Sequence, residues 1–199
     1  MNGPVRAAAL VASVLGLLSG CAPLGPQATF TFENGRALAL DDSGSISVYA
    51  DLAGVAGWTE DPGSDADYML YRQASTGCVV ALDRLDVTGE RYVVAGDDAS
   101  STGGLVDSTA DLNEDRSLRA PTLLALNDTA ATGNRQTVDA LRIVYTPRDA
   151  GKPHHDAAVV RVFAGAHVAL VAQASCDTDA WLRGAMSALR RHVAFVVEQ

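Results

Sequence analysis

The last third of the sequence contains its clearest periodic pattern. Apolar side chains recur there at spacings of 4, 3, 4 and 3 residues, at Leu182, Met186, Leu189, Val193 and Val196. This spacing places them along one face of an α-helix, which must then cover an apolar surface elsewhere in the fold. Asp177 or Thr178 can cap the first turn, and the basic run at 190–192 complements the negative helix end. The pattern predicts an amphipathic C-terminal helix, with Trp181 buried in its first turn.

Most of the remaining chain consists of short segments in which apolar residues alternate with polar ones or run together, as strands do. We expect strands at 45–50, 68–72, 78–85, 91–95, 141–146, 157–163 and 167–172, the last two forming a hairpin around the turn at 164–166. Asn34-Gly35 predicts another hairpin, between 29–33 and 36–40, because both turn residues tolerate a positive φ. Residues 51–67 are expected to form a loop. Residues 96–136 are the least readable part, and the pattern there suggests only a short helix around 117–126.

Strands dominate this interpretation, and one helix follows them. The predicted fold class is α+β, with a mainly antiparallel β-sheet closed by the C-terminal amphipathic helix. A chain of 199 residues usually forms one core, so we expect a single globular domain over 29–199. The chain has 15 Lys and Arg against 24 Asp and Glu, a formal net charge of −9. This balance lacks the basic footprint of a nucleic-acid-binding protein, so no nucleic acid partner is expected.

The N-terminus has the order of a bacterial export signal. Arg6 and the terminal amine precede an apolar run at 7–18, which is too short to span a membrane. The run ends in Leu18-Ser19-Gly20-Cys21, which resembles the lipobox of bacterial lipoproteins at all four positions. The small residues before Cys21 give a peptidase access to the backbone, and the Cys21 thiolate is the nucleophile that takes up the lipid.

The lipobox resemblance implies a location for the chain. Residues 1–20 would be the signal peptide, Cys21 would carry fatty acyl chains such as palmitate, and 21–28 would be the lipidated tether. The membrane would then be a partner through the lipid anchor, on the outer, extracytoplasmic face of the cell membrane. Two acyl chains anchor a protein stably, whereas one gives only marginal binding. An acidic domain is repelled by an anionic bilayer, so the lipid must supply the attachment.

The cysteine count predicts one internal cross-link. The chain has three cysteines, and lipidation of Cys21 leaves Cys78 and Cys176 in a compartment outside the reducing cytosol. Each lies at the end of a predicted strand, so we expect a disulfide between them. The alternative is two separate buried thiols that act as small apolar side chains.

The C-terminal part also has a family resemblance. Over 141–197 a strand, a Gly- and Pro-containing loop, the hairpin at 157–172 and a short Cys/Asp turn lead into the terminal helix. This order is similar to the C-terminal half of PsbP-like proteins, which include the oxygen-evolving accessory protein of photosystem II and LpqN-type actinobacterial lipoproteins. Gly57-Trp58 agrees with the same pattern. The resemblance implies a non-catalytic binding or assembly protein.

Two groups of residues are weak candidates for metal binding. His154, His155 and Asp156 lie together, but their spacing is not that of a known ligand motif, and a solvated loop is the favoured alternative. Asp111-x-Asn113-x-Asp115 begins like an EF-hand loop, but Arg116 and Thr122 occupy positions that require Gly and Glu. A looser Ca²⁺ site is the remaining option there, drawing on Asp97, Asp98, Asp107 or Asp111. No metal or other cofactor is predicted.

Trp58 is the candidate ligand-binding aromatic residue, with packing as its alternative. Tyr68 and Tyr71 cannot form one platform, because residues three apart on a strand face opposite sides. No G-x-S-x-G or S-x-x-K motif occurs, so no catalytic residue is predicted. We therefore expect a membrane-anchored, non-enzymatic envelope lipoprotein that binds a small envelope molecule or a partner protein. The alternative is a tethered hydrolase with a spatially assembled Ser/His/Asp or metal site.

Overall fold

The structure is a computed structural model, and it describes residues 45–108, 118–128, 135–145 and 154–198. Within these ranges nine strands form one sheet, and two α-helices pack against it. The strands are β1 (Ser45–Ala50), β2 (Trp58–Glu60), β3 (Tyr68–Gln73), β4 (Cys78–Asp86), β5 (Leu118–Asp128), β6 (Arg135–Tyr145), β7 (His155–Phe163), β8 (Val168–Cys176) and β9 (Val193–Glu198). The helices are α1 (Asp98–Ser108) and α2 (Asp179–His192).

The strand order across the sheet is β1-β9-β5-β6-β7-β8-β4-β3-β2. Every neighbouring pair is antiparallel except β5 and β9, which run parallel. The fold class is therefore α+β with a mainly antiparallel sheet and a C-terminal helix, as the sequence predicts. Within the described ranges, no helix is both long and apolar enough to cross a membrane.

Helix α2 forms for the reasons visible in its sequence. The Thr178 hydroxyl caps it by accepting a hydrogen bond from the Trp181 N–H, and Leu182, Met186 and Leu189 are buried against the sheet. The helix ends at His192, so the prediction that Val193 and Val196 continue its stripe is wrong. This β-branched segment instead forms β9, which pairs with β1 on one side and β5 on the other.

The two helices lie on opposite faces of the sheet. On β7, Val159 and Phe163 belong to the core beneath α2, while the alternate residues Val160 and Val162 belong to a second core beneath α1. We call these the α2 face and the α1 face. The sheet also curls around α2, since Arg84 Nε on β4 donates to the Ile46 carbonyl on β1 at 2.6 Å, although six positions separate these strands in the sheet order.

The predicted hairpin between β7 and β8 is confirmed. A 3₁₀ turn at Ala164–Ala166 connects the strands, and His167 closes it in the left-handed region at φ 52°. His167 is therefore a turn residue, and β8 begins at Val168. The strands predicted at 45–50, 68–72, 78–85 and 141–146 are also present, with ends that differ by a few residues.

Three local predictions are wrong. Residues 91–95 form turns with one isolated bridge, Val94 to Asp97, and no strand. The region 117–126, expected to be helical, contributes to β5, which pairs with β6 over ten consecutive residues. That long pairing overrides the helix propensity of its Leu and Ala residues. The loop expected over 51–67 contains β2, and the hairpin predicted around Asn34-Gly35 lies outside the described residues.

Helix α1 was not predicted. Its sequence, with serines, a threonine and two glycines, has neither a strong helix propensity nor a continuous apolar stripe. Asp97 starts it, because its carboxylate accepts hydrogen bonds from the backbone N–H and the hydroxyl of Ser100. Gly104 allows close packing, since a Cβ there would lie 2.6 Å from the Tyr92 Cβ. Tertiary contacts therefore determine this helix.

The predicted disulfide between Cys78 and Cys176 is confirmed. The S–S distance is 2.05 Å and the Cα atoms are 4.2 Å apart. The two residues continue the β4–β8 register beyond the pair Val79 and Ser175, so the bridge joins the ends of neighbouring strands. Both side chains are buried in the core beneath α2. The cross-link ties the end of β8, which leads into α2, to the start of β4.

Removing this bridge should destabilise the domain by restoring chain entropy to the unfolded state. The cysteines are 98 positions apart, and loss of a native disulfide typically costs about 2–5 kcal/mol. We expect Cys78→Ala with Cys176→Ala to lower the free energy of unfolding by this amount in urea denaturation. Reduction of the unsubstituted protein is the matched control and should give a similar loss. An unchanged midpoint, or two free thiols in the denatured, unreduced protein, would contradict the assignment.

Candidate functional site

The predicted site residues do not come together in one place. Cys21 lies outside the described residues. Trp58 starts β2 and is only 6% exposed, in the core beneath α2 that also contains Tyr71. Its indole is therefore used for packing, which was the alternative. Trp181, expected in the core, is instead 41% exposed on the outer side of α2.

His154, His155 and Asp156 are separated by strand geometry. His155 and Asp156 are the first two residues of β7, so their side chains leave opposite faces of the sheet. His154 Nδ1 lies 3.9 Å from Asp177 Oδ1. In the part of the chain that the structure describes, no group of three or more His, Cys, Asp or Glu side chains is arranged to hold a metal ion.

Asp156 is nevertheless chemically unusual. Its side chain is buried at 4% exposure, and Oδ1 has no hydrogen-bond partner. Burial raises the pKa of this carboxyl, while a hydrogen bond from Ser175 and the two neighbouring histidines oppose the shift. The folded protein therefore favours the protonated acid more than the unfolded chain does.

Two of the acids proposed for a looser Ca²⁺ site, Asp97 and Asp98, have separate structural roles. Asp97 caps α1. Asp98 is buried, and its Oδ2 accepts a hydrogen bond from Arg161 Nη2 at 2.5 Å, while its Oδ1 accepts one from the Ala164 N–H at 2.9 Å. Asp111 lies outside the described residues. The carboxylate of Asp98 is thus engaged by protein donors on both oxygens.

The ion pair of Asp98 and Arg161 is the centre of a larger anchor. Arg161 is fully buried, its Nη1 donates to the Asp139 carbonyl at 2.6 Å, and its guanidinium lies over the Phe163 ring at 5.1 Å. The Thr102 hydroxyl accepts a hydrogen bond from the Val162 N–H at 2.9 Å. These contacts attach α1 to β7 through charge and backbone hydrogen bonds.

The anchor replaces missing ladder hydrogen bonds. The last register pair between β6 and β7 is Leu141 with Val160, so the pairing ends there although both strands continue. Side chains of α1 accept the N–H groups of Val162 and Ala164 in that continuation. Because buried backbone donors must be satisfied, the position of α1 is fixed by the end of this ladder.

Among the residues that the structure describes, this placement leaves part of the α1 face without a covering helix. Helix α1 packs against β7 and β6. On β3 and β4 the alternate side chains of the same face are exposed or only partly buried, and we call this set the open face: Tyr68, Leu70, Arg72, Val79, Ala81, Asp83 and Leu85. None of its members belongs to either described core. As predicted, Tyr68 faces away from Tyr71, which is 1% exposed in the opposite core.

Sequence reasoning missed both the anchor and the open face. Arg161 did give a signal, since it is the one charged residue in a run of apolar residues from 157 to 163, and such a charge needs a buried partner. The alternation of Asp83 with Val80 and Leu82 was also visible. What neither pattern revealed was which helix would cover which half of the sheet.

Comparison with known proteins adds no assignment. No protein-family model matches the chain, and no curated protein matches it.

Asp156 predicts a specific pH dependence of stability. Its pKa is higher in the folded state, so the folded protein holds more protons between the ordinary and the raised value, and stability falls as pH rises through that range. We expect Asp156→Asn to raise the unfolding midpoint at about pH 7 and to flatten the decline from about pH 4.

Urea denaturation at a series of pH values measures this effect. Asp177→Asn is the matched control, because it removes a half-exposed carboxylate from the same end of the sheet. Parallel stability curves for the unsubstituted protein and Asp156→Asn would contradict the prediction.

Proposed function

We propose that this chain is a lipid-anchored protein of the outer face of the cell membrane, with a non-catalytic domain that binds a partner protein or a small envelope molecule. The observation that carries the proposal is the Cys78–Cys176 disulfide. Disulfides persist in oxidising compartments and are rare in the cytosol, where thiols are kept reduced. A buried cross-link between two neighbouring strands is therefore suited to an exported protein.

The N-terminal sequence pattern supports the proposed lipid attachment. A short apolar run followed by Leu18-Ser19-Gly20-Cys21 is what lipid attachment at Cys21 requires. The formal charge of −9 argues against direct attraction to an anionic bilayer, so acyl chains would hold the domain at the surface.

The binding role is supported by the half-covered sheet. One half of the α1 face is covered by α1, while the open face presents aliphatic and aromatic side chains outside either core. The resemblance to PsbP-like proteins remains part of this proposal, and the order of β7, β8 and α2 agrees with it, although β9 follows the helix here.

Lipid attachment can be tested by metabolic labelling with a clickable fatty acid. We expect the unsubstituted protein to be labelled and to sediment with membranes, because Cys21 becomes acylated. Cys21→Ala should lose the label and remain unprocessed, with poor retention in the membrane fraction.

The matched control is the double variant Cys78→Ala with Cys176→Ala, which keeps Cys21 and should retain the label. Equal labelling of the unsubstituted protein and Cys21→Ala would defeat the proposal.

A further inference from the structure

The open face has one charged group at its centre. In the sheet register Asp83 lies opposite Tyr68 on one side and Val171 on the other. Along its own strand, Ala81 and Leu85 are its neighbours on the same face. All four surrounding side chains are uncharged. Among the described residues, the carboxylate therefore has no charged side chain as an immediate neighbour on this face.

Nearby arginines do not neutralise this carboxylate. Arg72 on β3 shares the face, but it lies four residues along the strand from Tyr68, the register partner of Asp83, and its Nε pairs with Asp61 at 3.3 Å. Arg84 is adjacent in sequence but points to the α2 face, where it bonds to the Ile46 carbonyl and to Asp67. Within the described part of the chain, no cation pairs with Asp83.

A lone carboxylate in this setting is poorly solvated. Desolvation by the surrounding side chains raises the pKa of Asp83. A cation brought to the surface would gain more from such a carboxylate than from one in bulk water, because the local dielectric is lower. Tyr68, which is 38% exposed beside it, adds a ring face to which a cation is also attracted.

We propose that the open face is the docking surface for a partner protein that places a lysine or arginine, flanked by apolar side chains, against Asp83 and Tyr68. The cation would pair with the Asp83 carboxylate, and the flanking side chains would cover Leu70, Ala81 and Leu85. This inference deepens the binding role proposed above and depends on it only for the compartment in which the partner is met.

Other occupants fit less well. A second copy of this chain, related by a two-fold axis through the face, would bring two Asp83 carboxylates towards each other. An anionic membrane surface would be repelled by the same carboxylate. A cationic protein segment complements both the central charge and the net charge of −9.

Photo-cross-linking in intact cells tests the surface on the full anchored protein. A photoreactive amino acid replaces Leu85, which is 36% exposed and two residues from Asp83. The control position is Trp181, which is 41% exposed on α2, on the opposite face of the sheet. We expect a discrete protein adduct from position 85, and mass spectrometry should find Lys or Arg near the cross-linked site of the partner.

The charge of Asp83 provides the decisive comparison. Asp83→Asn should reduce the adduct at position 85 about tenfold, as for loss of one charge-assisted hydrogen bond. Asp83→Glu should retain most of it, and neither variant should change cross-linking from position 181. Both variants must sediment with membranes and resist proteolysis as the parent does, which separates loss of docking from loss of folding.

Several results would overturn the proposal. The first is the absence of an adduct at position 85. The second is an adduct with lipid, with a second copy of this chain or with an acidic segment of a partner. The third is an adduct yield that Asp83→Asn does not change. Membrane fractionation of the same cells measures independently whether the protein is attached to the membrane. A protein that forms the expected adduct but does not sediment with membranes would contradict lipid attachment at Cys21, while the docking surface would still be supported.

Discussion

The buried ion pair between Asp98 and Arg161 is the interaction on which the two-sided architecture depends. An arginine with no exposed surface is costly in a protein interior unless its charge is paired and its donors are hydrogen-bonded. Here the Arg161 guanidinium donates to the Asp98 carboxylate and to the Asp139 backbone carbonyl, and it lies over the Phe163 ring. The same carboxylate accepts the Ala164 N–H, so one side chain satisfies both a charge and a strand end.

This interaction also determines where α1 can lie. The helix has few apolar residues, and Leu105 and Val106 are the ones it buries against β6 and β7. Its polar residues Asp98 and Thr102 match donors that exist only beyond the last β6–β7 pair. Because α1 is held at that position, it covers one half of its face, and no described helix covers β3 and β4 on that face. The open face is therefore a consequence of the contacts that hold α1 where the β6–β7 pairing ends.

On the opposite face the restraints are apolar and covalent. Helix α2 covers the α2 face with Leu182, Met186 and Leu189, and the disulfide joins β4 to the strand that leads into it. These features were predictable, because the spacing of apolar residues, a capping residue and the cysteine count can each be read from the sequence without knowing the fold. A 3.6-residue period specifies the buried side of a helix, a threonine before it specifies the cap, and two remaining cysteines specify one bridge.

The features that could not be predicted depend on partners distant in sequence. Asp98 and Arg161 are 63 positions apart, and nothing near Asp98 distinguishes it from the solvated acids around it. Residues 118–128 form a strand because β6 pairs with them, and 193–198 do so because β1 and β5 lie alongside. Trp58, at the start of β2, is buried in the core beneath α2, whereas Trp181, which lies outside the apolar stripe of α2, remains exposed.

Amide hydrogen exchange tests the anchor of α1 most directly. We expect the Val162 and Ala164 amides to exchange as slowly as the amides of β7 that pair with a neighbouring strand, although neither donates to β6. Thr102→Val should speed exchange at Val162, whose acceptor it removes, and should spare Ala164, which donates to Asp98. Exchange of both amides at solvent-exposed rates in the unsubstituted protein would contradict the account.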